Sequence, residues 1–159
     1  MNFLSSAATG ALIFGAITTT FSHVNAHQQE HQEEIACLAL NIYHEARGES
    51  IAGQIAVAEV TINRMNHTYF PDTVCGVVWE PNQFSWTHDG ISDQAYETEA
   101  YTIALNIAET VYYGQEDEFT GGALFYHADY ITAPNWTEYM EVSSVIGKHI
   151  FYTWNGSWN

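Results

Sequence analysis

A chain of 159 residues has room for one domain with a real hydrophobic core, preceded at most by a short leader. Nineteen acidic residues against three basic ones give a net charge of −16, which excludes the basic face that phosphate contacts need and so disfavours a nucleic-acid partner. With 47% hydrophobic and 14% aromatic residues, the composition is that of a folded acidic domain rather than a disordered polyanion, and its surface charge would suit a salty medium.

Residues 1–26 carry no charged side chain, contain the apolar run Ala11-Leu12-Ile13-Phe14-Gly15-Ala16-Ile17, and close on Val24-Asn25-Ala26. This small-x-small ending is the pattern of a secretory signal, although no basic residue precedes the apolar run. The run is short for a membrane span, which needs about 20 apolar residues, so an uncleaved anchor is the alternative. Export would make a disulfide between Cys37 and Cys75, the two cysteines of the chain, a natural pairing; two buried thiols would be the other outcome. The bridge would close a loop of about 38 residues and contribute roughly 4 kcal/mol on the chain-entropy estimate.

Residues 27–34, His27-Gln28-Gln29-Glu30-His31-Gln32-Glu33-Glu34, read as a solvated polar lead-in. From Ile35 the apolar positions Ile35, Leu38, Ala39, Ile42, Tyr43 and Ala46 recur at helical spacing, and Gly48 supplies a stop. Glu45 lies at the edge of that stripe, where a carboxyl would be partly desolvated. Ser50 then caps a helix from Ile51 to about Arg64 that is apolar nearly all round and therefore central. Within it, a buried Glu59 would need a partner such as Arg64, or a proton.

Pro71-Asp72 opens a short helix over residues 73–78, and Glu80-Pro81 ends it. A mixed aromatic and polar stretch follows from Asn82 to Gly90. The next helix is expected from about Asp93 to Tyr113, with Gly114 as its stop. Residues 123–128 and 146–154, rich in aromatic and β-branched types, read as strands, with Pro134-Asn135-Trp136 marking a loop between them. The fold class is thus α+β: helices first, then a small sheet.

The densest acid/base chemistry lies in His44-Glu45-Ala46-Arg47-Gly48-Glu49. A zincin arrangement would require a second histidine four residues after His44, where Gly48 stands. A metal site built from His44, His127 and His149, for an amidase or peptidase, is one alternative, and a non-catalytic binder using the acidic, aromatic surface is another. Neither a Gly-rich phosphate loop nor a Gly-x-Ser-x-Gly elbow is present, and Cys37 has no activating neighbour in sequence. What remains is carboxylate chemistry, together with five tryptophans and ten tyrosines whose faces pack well on sugar rings.

The ordered set Asn41-Ile42-Tyr43-His44-Glu45-Ala46-Arg47-Gly48-Glu49, Gly53-Gln54-Ile55-Ala56-Val57-Ala58, Asn63-Arg64, residues 70–78, Gln83-Phe84-Ser85-Trp86, Tyr126-His127-Ala128, Pro134-Asn135-Trp136 and residues 147–152 resembles the cell-wall hydrolases of the spore cortex-lytic (SleB/CwlJ-like) type. The resemblance covers about residues 36–154. It implies a lysozyme-like fold shared with resuscitation-promoting factors, and cleavage of peptidoglycan between N-acetylmuramic acid and N-acetylglucosamine as a lytic transglycosylase. Glu45 matches the family's catalytic acid/base. Glu49 and Arg47 would support it, paired with one another or ordering the loop, and Gln83, Ser85, Trp86, Tyr126, His127 and Trp136 would line the cleft. No cofactor or metal is implied, the expected partner is peptidoglycan, and a monomer exported to the periplasm or the medium is expected. No peptidoglycan-binding repeat is recognisable, so a role in spore germination is not expected.

Overall fold

A computed structural model describes residues 11–154 and 156, with side chains from residue 25 onward. The first ten residues of the expected signal segment lie outside the described residues. Two compact units divide the chain, residues 1–33 and 34–159. Helix α1, Ala11–Ala46, runs through the stretch expected as a solvated lead-in. No Gly or Pro interrupts residues 27–34, and Gln29 Nε2 donates to Glu33 Oε1 one turn away at 3.0 Å, so the helix continues through a polar sequence. Among the described residues no helix is long and apolar enough to cross a membrane.

In the second unit, α2, Ile51–Met65, is the central element. Ser50 caps it by accepting from Gly53 N at 3.3 Å, and every residue from Gly53 to Thr61 is buried. One face of α2 packs with Ile35, Leu38, Ile42, Val74, Val78, Trp86, Ala104 and Ala108 of the main core. The other presents Ala56 and Val60 to Phe151 of the sheet and to Ala123 just before its first strand. A helix caught between two apolar layers must be apolar all round, which is what its sequence shows.

Helix α3, Val74–Val78, is capped by Thr73, and Glu34 of α1 accepts from the amides of Val74 and Cys75. Cys37 and Cys75 are joined in a disulfide with Cα atoms 5.2 Å apart, tying α1 to α3. Helix α4 spans Thr98–Tyr112, starting five residues later than its apolar pattern suggests. Residues before it are held extended by tertiary contacts: Tyr43 Oη accepts from Glu97 N at 3.2 Å, and Arg47 bonds the Glu97 carboxylate at 3.0 Å.

The sheet has three antiparallel strands in the order β1-β3-β2: β1 Phe125–Ala128, β2 Glu141–Ile146 and β3 His149–Thr153. The stretch 146–154, expected as one strand, is instead the end of β2, a turn at Gly147-Lys148 and β3. Strand β2 is absent from the sequence reading because a register irregularity between Val142 and Ser144 breaks its two-residue alternation, and most of its side chains are exposed. The turn needs glycine: Gly147 has φ +58°, and a Cβ there would collide with the Glu49 carboxylate.

Candidate active site

Glu45 sits on the last turn of α1, one residue before the helix ends. It is half-buried, and Tyr126 of β1 donates its hydroxyl to Glu45 Oε2 at 3.0 Å. Burial pushes the Glu45 carboxyl above its ordinary range, opposed by the Tyr126 hydrogen bond and by the positive fields of Arg64 and His44. Burial and the Glu45 charge push Tyr126 well above the usual phenol range, so it stays a donor.

Two open pockets meet at this carboxyl. One, about 440 Å³, is walled by His44, Arg47, Trp86, Asp93 and Tyr96 and by the irregular segment from Asp89. The other, about 300 Å³, is walled by Arg64, Asn82, Gln83, Phe84, His88 and Tyr126. Ser85 borders both. The shape is a groove with an acid at its middle, open to an extended substrate on both sides.

The walls are fixed by a buried polar chain. Asn41, fully buried one turn before Glu45, donates to Thr61 Oγ1 at 3.1 Å and accepts from Trp86 Nε1 at 3.1 Å. Trp86 is thereby held upright, and His44 stacks on it with ring centroids 4.4 Å apart. His44 Nε2 bonds the Asp93 carbonyl at 3.0 Å, which anchors the loop forming the far wall. The spacing of Asn41 and Glu45 places both on one helix face, but only the fold shows that Asn41 serves Trp86.

Of the residues expected at the site, Glu45, Arg47, Gln83, Ser85, Trp86 and Tyr126 border these pockets. His127 and Trp136 stand elsewhere. Alternation along β1 turns Tyr126 towards the helices and His127 to the opposite face of the sheet, where His127 bonds Tyr152 Oη at 2.9 Å and Trp136 packs against Phe125 and Tyr152. Glu49 and Arg47 do not pair. Arg47 reaches Glu97, whereas Glu49 turns to the hairpin, accepting from Lys148 N at 3.1 Å, because Gly48 ends the helix and reverses the chain between them.

Glu59 does not pair with Arg64 either. Its carboxylate accepts from Phe119 N and Thr120 N at 2.9 Å each, a structural clasp on the loop before β1. His44, His127 and His149 are not gathered: among the described residues no three His, Cys, Asp or Glu side chains are placed to hold a metal. His149 packs on Tyr126, and burial pushes its imidazole below the usual histidine range. The sequence reading offered Arg64 as a partner for Glu59 and gave neither it nor the wall from Asp89 to Tyr96 a place at the site; the Asn63-Arg64 pair was the one available signal.

A family described as Cell Wall Hydrolase matches residues 48–152, a segment that begins just after Glu45. The chain is 37% identical over 131 residues to a spore cortex-lytic enzyme of Oceanobacillus iheyensis, covering 80% of this chain and 44% of that one. It is 38% identical over 125 residues to the enzyme of the same description from Bacillus subtilis, covering 74% and 37%. The chain therefore spans less than half the length of these curated relatives. Among solved structures, the catalytic domain of Bacillus cereus SleB superposes with a TM-score of 0.62 at 34% identity, covering 77% of this chain and 91% of that one. The catalytic domain of a germination-specific lytic transglycosylase, SleB from Bacillus anthracis, gives a TM-score of 0.61 at 36% identity, covering 76% and 93%. The expected α+β fold is the fold of these catalytic domains.

Proposed function

The chain belongs to the cell wall hydrolase family, and from that premise we propose that it is a lytic transglycosylase cleaving peptidoglycan between N-acetylmuramic acid and N-acetylglucosamine, with Glu45 as the one acid/base. The observation that carries the reading is the half-buried Glu45 carboxyl at the junction of two open pockets, with a tyrosine hydroxyl fixing one of its oxygens.

Peptidoglycan would lie along the groove with its scissile bond over Glu45. The carboxyl, whose affinity for its proton burial raises, gives that proton to the glycosidic oxygen as the bond to the anomeric carbon breaks. The departing sugar leaves as an alcohol. The Glu45 carboxylate then removes the proton of the muramic 6-hydroxyl, whose oxygen bonds to the anomeric carbon and closes a 1,6-anhydro ring. Glu45 ends protonated, and neither water nor a second carboxylate is consumed. Tyr126 holds Oε2, leaving the other oxygen to face the substrate. Trp86 and His44 supply a stacked wall beside the sugar.

Such a substrate lies outside the cytoplasm, which agrees with a signal at residues 1–26 and with the Cys37–Cys75 bridge. Digestion of purified peptidoglycan followed by mass spectrometry of the reducing ends tests the reading. Anhydromuropeptides are expected, and Glu45→Gln is expected to lose activity by at least 10²-fold to 10⁴-fold, the usual worth of a general acid. A Glu45→Gln protein that digests at the parent rate sinks the assignment.

A further inference from the structure

Arg64 is the most unusual charged group in the molecule. Only 5% exposed, its guanidinium lies over the rings of Phe70, Phe84 and Phe125 at 5.4 to 5.5 Å and forms no ion pair among the described residues. Its one hydrogen bond is from Nε to the Leu124 carbonyl at 2.7 Å, and Nη1 is buried with no partner. Burying an unpaired cation is costly, so a fold that keeps one has a use for its field or its reach. An arginine tolerates this better than a lysine because it stays protonated even where burial lowers its affinity for the proton.

The position suggests the use. Asn63 bonds the Ala123 carbonyl at 3.1 Å and Arg64 bonds that of Leu124, so this dipeptide of α2 pins the backbone that leads into β1. Tyr126, two residues on, is the group that meets Glu45. Arg64, Tyr126 and Glu45 border the same pocket. Three phenylalanine rings surround the guanidinium, and a charge in such surroundings acts at longer range than one in solvent.

Resting on the reading of Glu45 as the acid/base, we propose that Arg64 is its positioning residue: it seats Tyr126 against Glu45 and supplies a positive charge that stabilises the Glu45 carboxylate between giving up one proton and taking the next. An acid that must also serve as the base in one cycle cannot be only desolvated. Burial raises its affinity for the proton, and Arg64 keeps its anion accessible.

Several other charged groups face Glu45. His44 comes from its own helix and Arg47 from just past the end of it, His88, Asp89 and Asp93 from the segment across the groove, and Tyr126 from the sheet. Arg47 is already paired with Glu97, and the two aspartates oppose an anion. Arg64 is thus the permanent cation in no ion pair among the described residues, with the Glu80 carboxylate acting on it as well as that of Glu45.

The first readout needs no substrate. Selective carboxyl-¹³C labelling of glutamate and an NMR titration follow Glu45 in the parent, Arg64→Met and Arg64→Lys proteins, with Glu45→Gln assigning the signal. Arg64→Met is expected to raise the Glu45 midpoint by about one pH unit or more, and Arg64→Lys by clearly less, because an opposite charge lowers a carboxylate by about 1 to 3 units. The basic limb of the pH profile for peptidoglycan digestion moves with it, while kcat falls about tenfold or more with KM nearly unchanged. Should Arg64→Met lose its cooperative melt, Arg64→Gln removes the charge while keeping a donor for Leu124. A Glu45 midpoint that stays put in the folded neutral variant, or that moves equally in Arg64→Lys, overturns the proposal. An active Glu45→Gln protein would instead overturn the acid/base assignment, a separate result from the NMR midpoints.

Discussion

Glu45 and Glu49 are four residues apart, carry the same carboxyl and have different tasks. Glu45 still lies on the helix and faces a desolvated groove, whereas Glu49 lies past Gly48 and locks the β2–β3 turn through Lys148 N. The raised affinity of Glu45 for its proton has a consequence for stability. A carboxyl whose folded value exceeds its unfolded value of about 4.3 favours folding most at low pH, where both states are protonated. As pH climbs past the unfolded value the unfolded chain ionises first, and stability is lost until the folded group ionises too. Glu45→Gln should therefore be more stable than the parent at pH 7, with the difference shrinking towards pH 4. Differential scanning calorimetry at the two pH values reads this, and a difference that grew on acidification would contradict the buried-acid picture. The sequence placed Glu45 correctly at the edge of a helical stripe. It could not tell that Tyr126, eighty-one residues away, would meet it, because that contact depends on how the sheet packs on α2.

At the level of elements, the helices were the legible part. Their apolar periodicity and the cap at Ser50 are local, so the boundaries of α2 fall within one residue of expectation. Where tertiary contacts intervened, the local reading failed. The start of α4 waits for Glu97 to leave the contacts with Tyr43 and Arg47, and β2 owes its existence to pairing with β3 rather than to its own pattern. The tie between α1 and α3 is doubled: the Cys37–Cys75 bridge lies beside the Glu34 carboxylate that caps α3. Replacing both cysteines by serine should cost up to roughly 4 kcal/mol, from the lost restriction of the unfolded chain. Guanidinium titrations of the two proteins measure it, and a change under about 1 kcal/mol would show that Glu34 and the packing of Val74 and Val78 hold α3 by themselves.

Across the whole molecule, a net charge of −16 is carried by a surface with little to neutralise it, since Arg47 and Lys148 are held near carboxylates and Arg64 is buried. Mutual repulsion of that size is screened as the Debye length falls from about 30 Å at 0.01 M salt to about 3 Å at 1 M. The midpoint of thermal unfolding should accordingly rise between 0.01 M and 0.5 M sodium chloride. A flat or falling midpoint over that range would mean that the acidic groups are already compensated.

The amino-acid sequence by itself determined the helical stripe that carries Glu45, the nearly all-apolar helix that must lie at the centre and the resemblance to cell-wall hydrolases, because each is written in local spacing or in an ordered set of short motifs; it left the pairing of the two cysteines open, and the fold joined them. Tertiary structure alone decided which side chains surround the carboxyl. It turned Tyr126 inward and His127 away, gave Asn41 to Trp86, Arg47 to Glu97 and Glu59 to the loop at Thr120, and left Arg64 as an unpaired cation behind the acid. The physical reason is range: periodicity and capping act within a few residues, whereas desolvation and charge act through space between segments that only the packed core brings together.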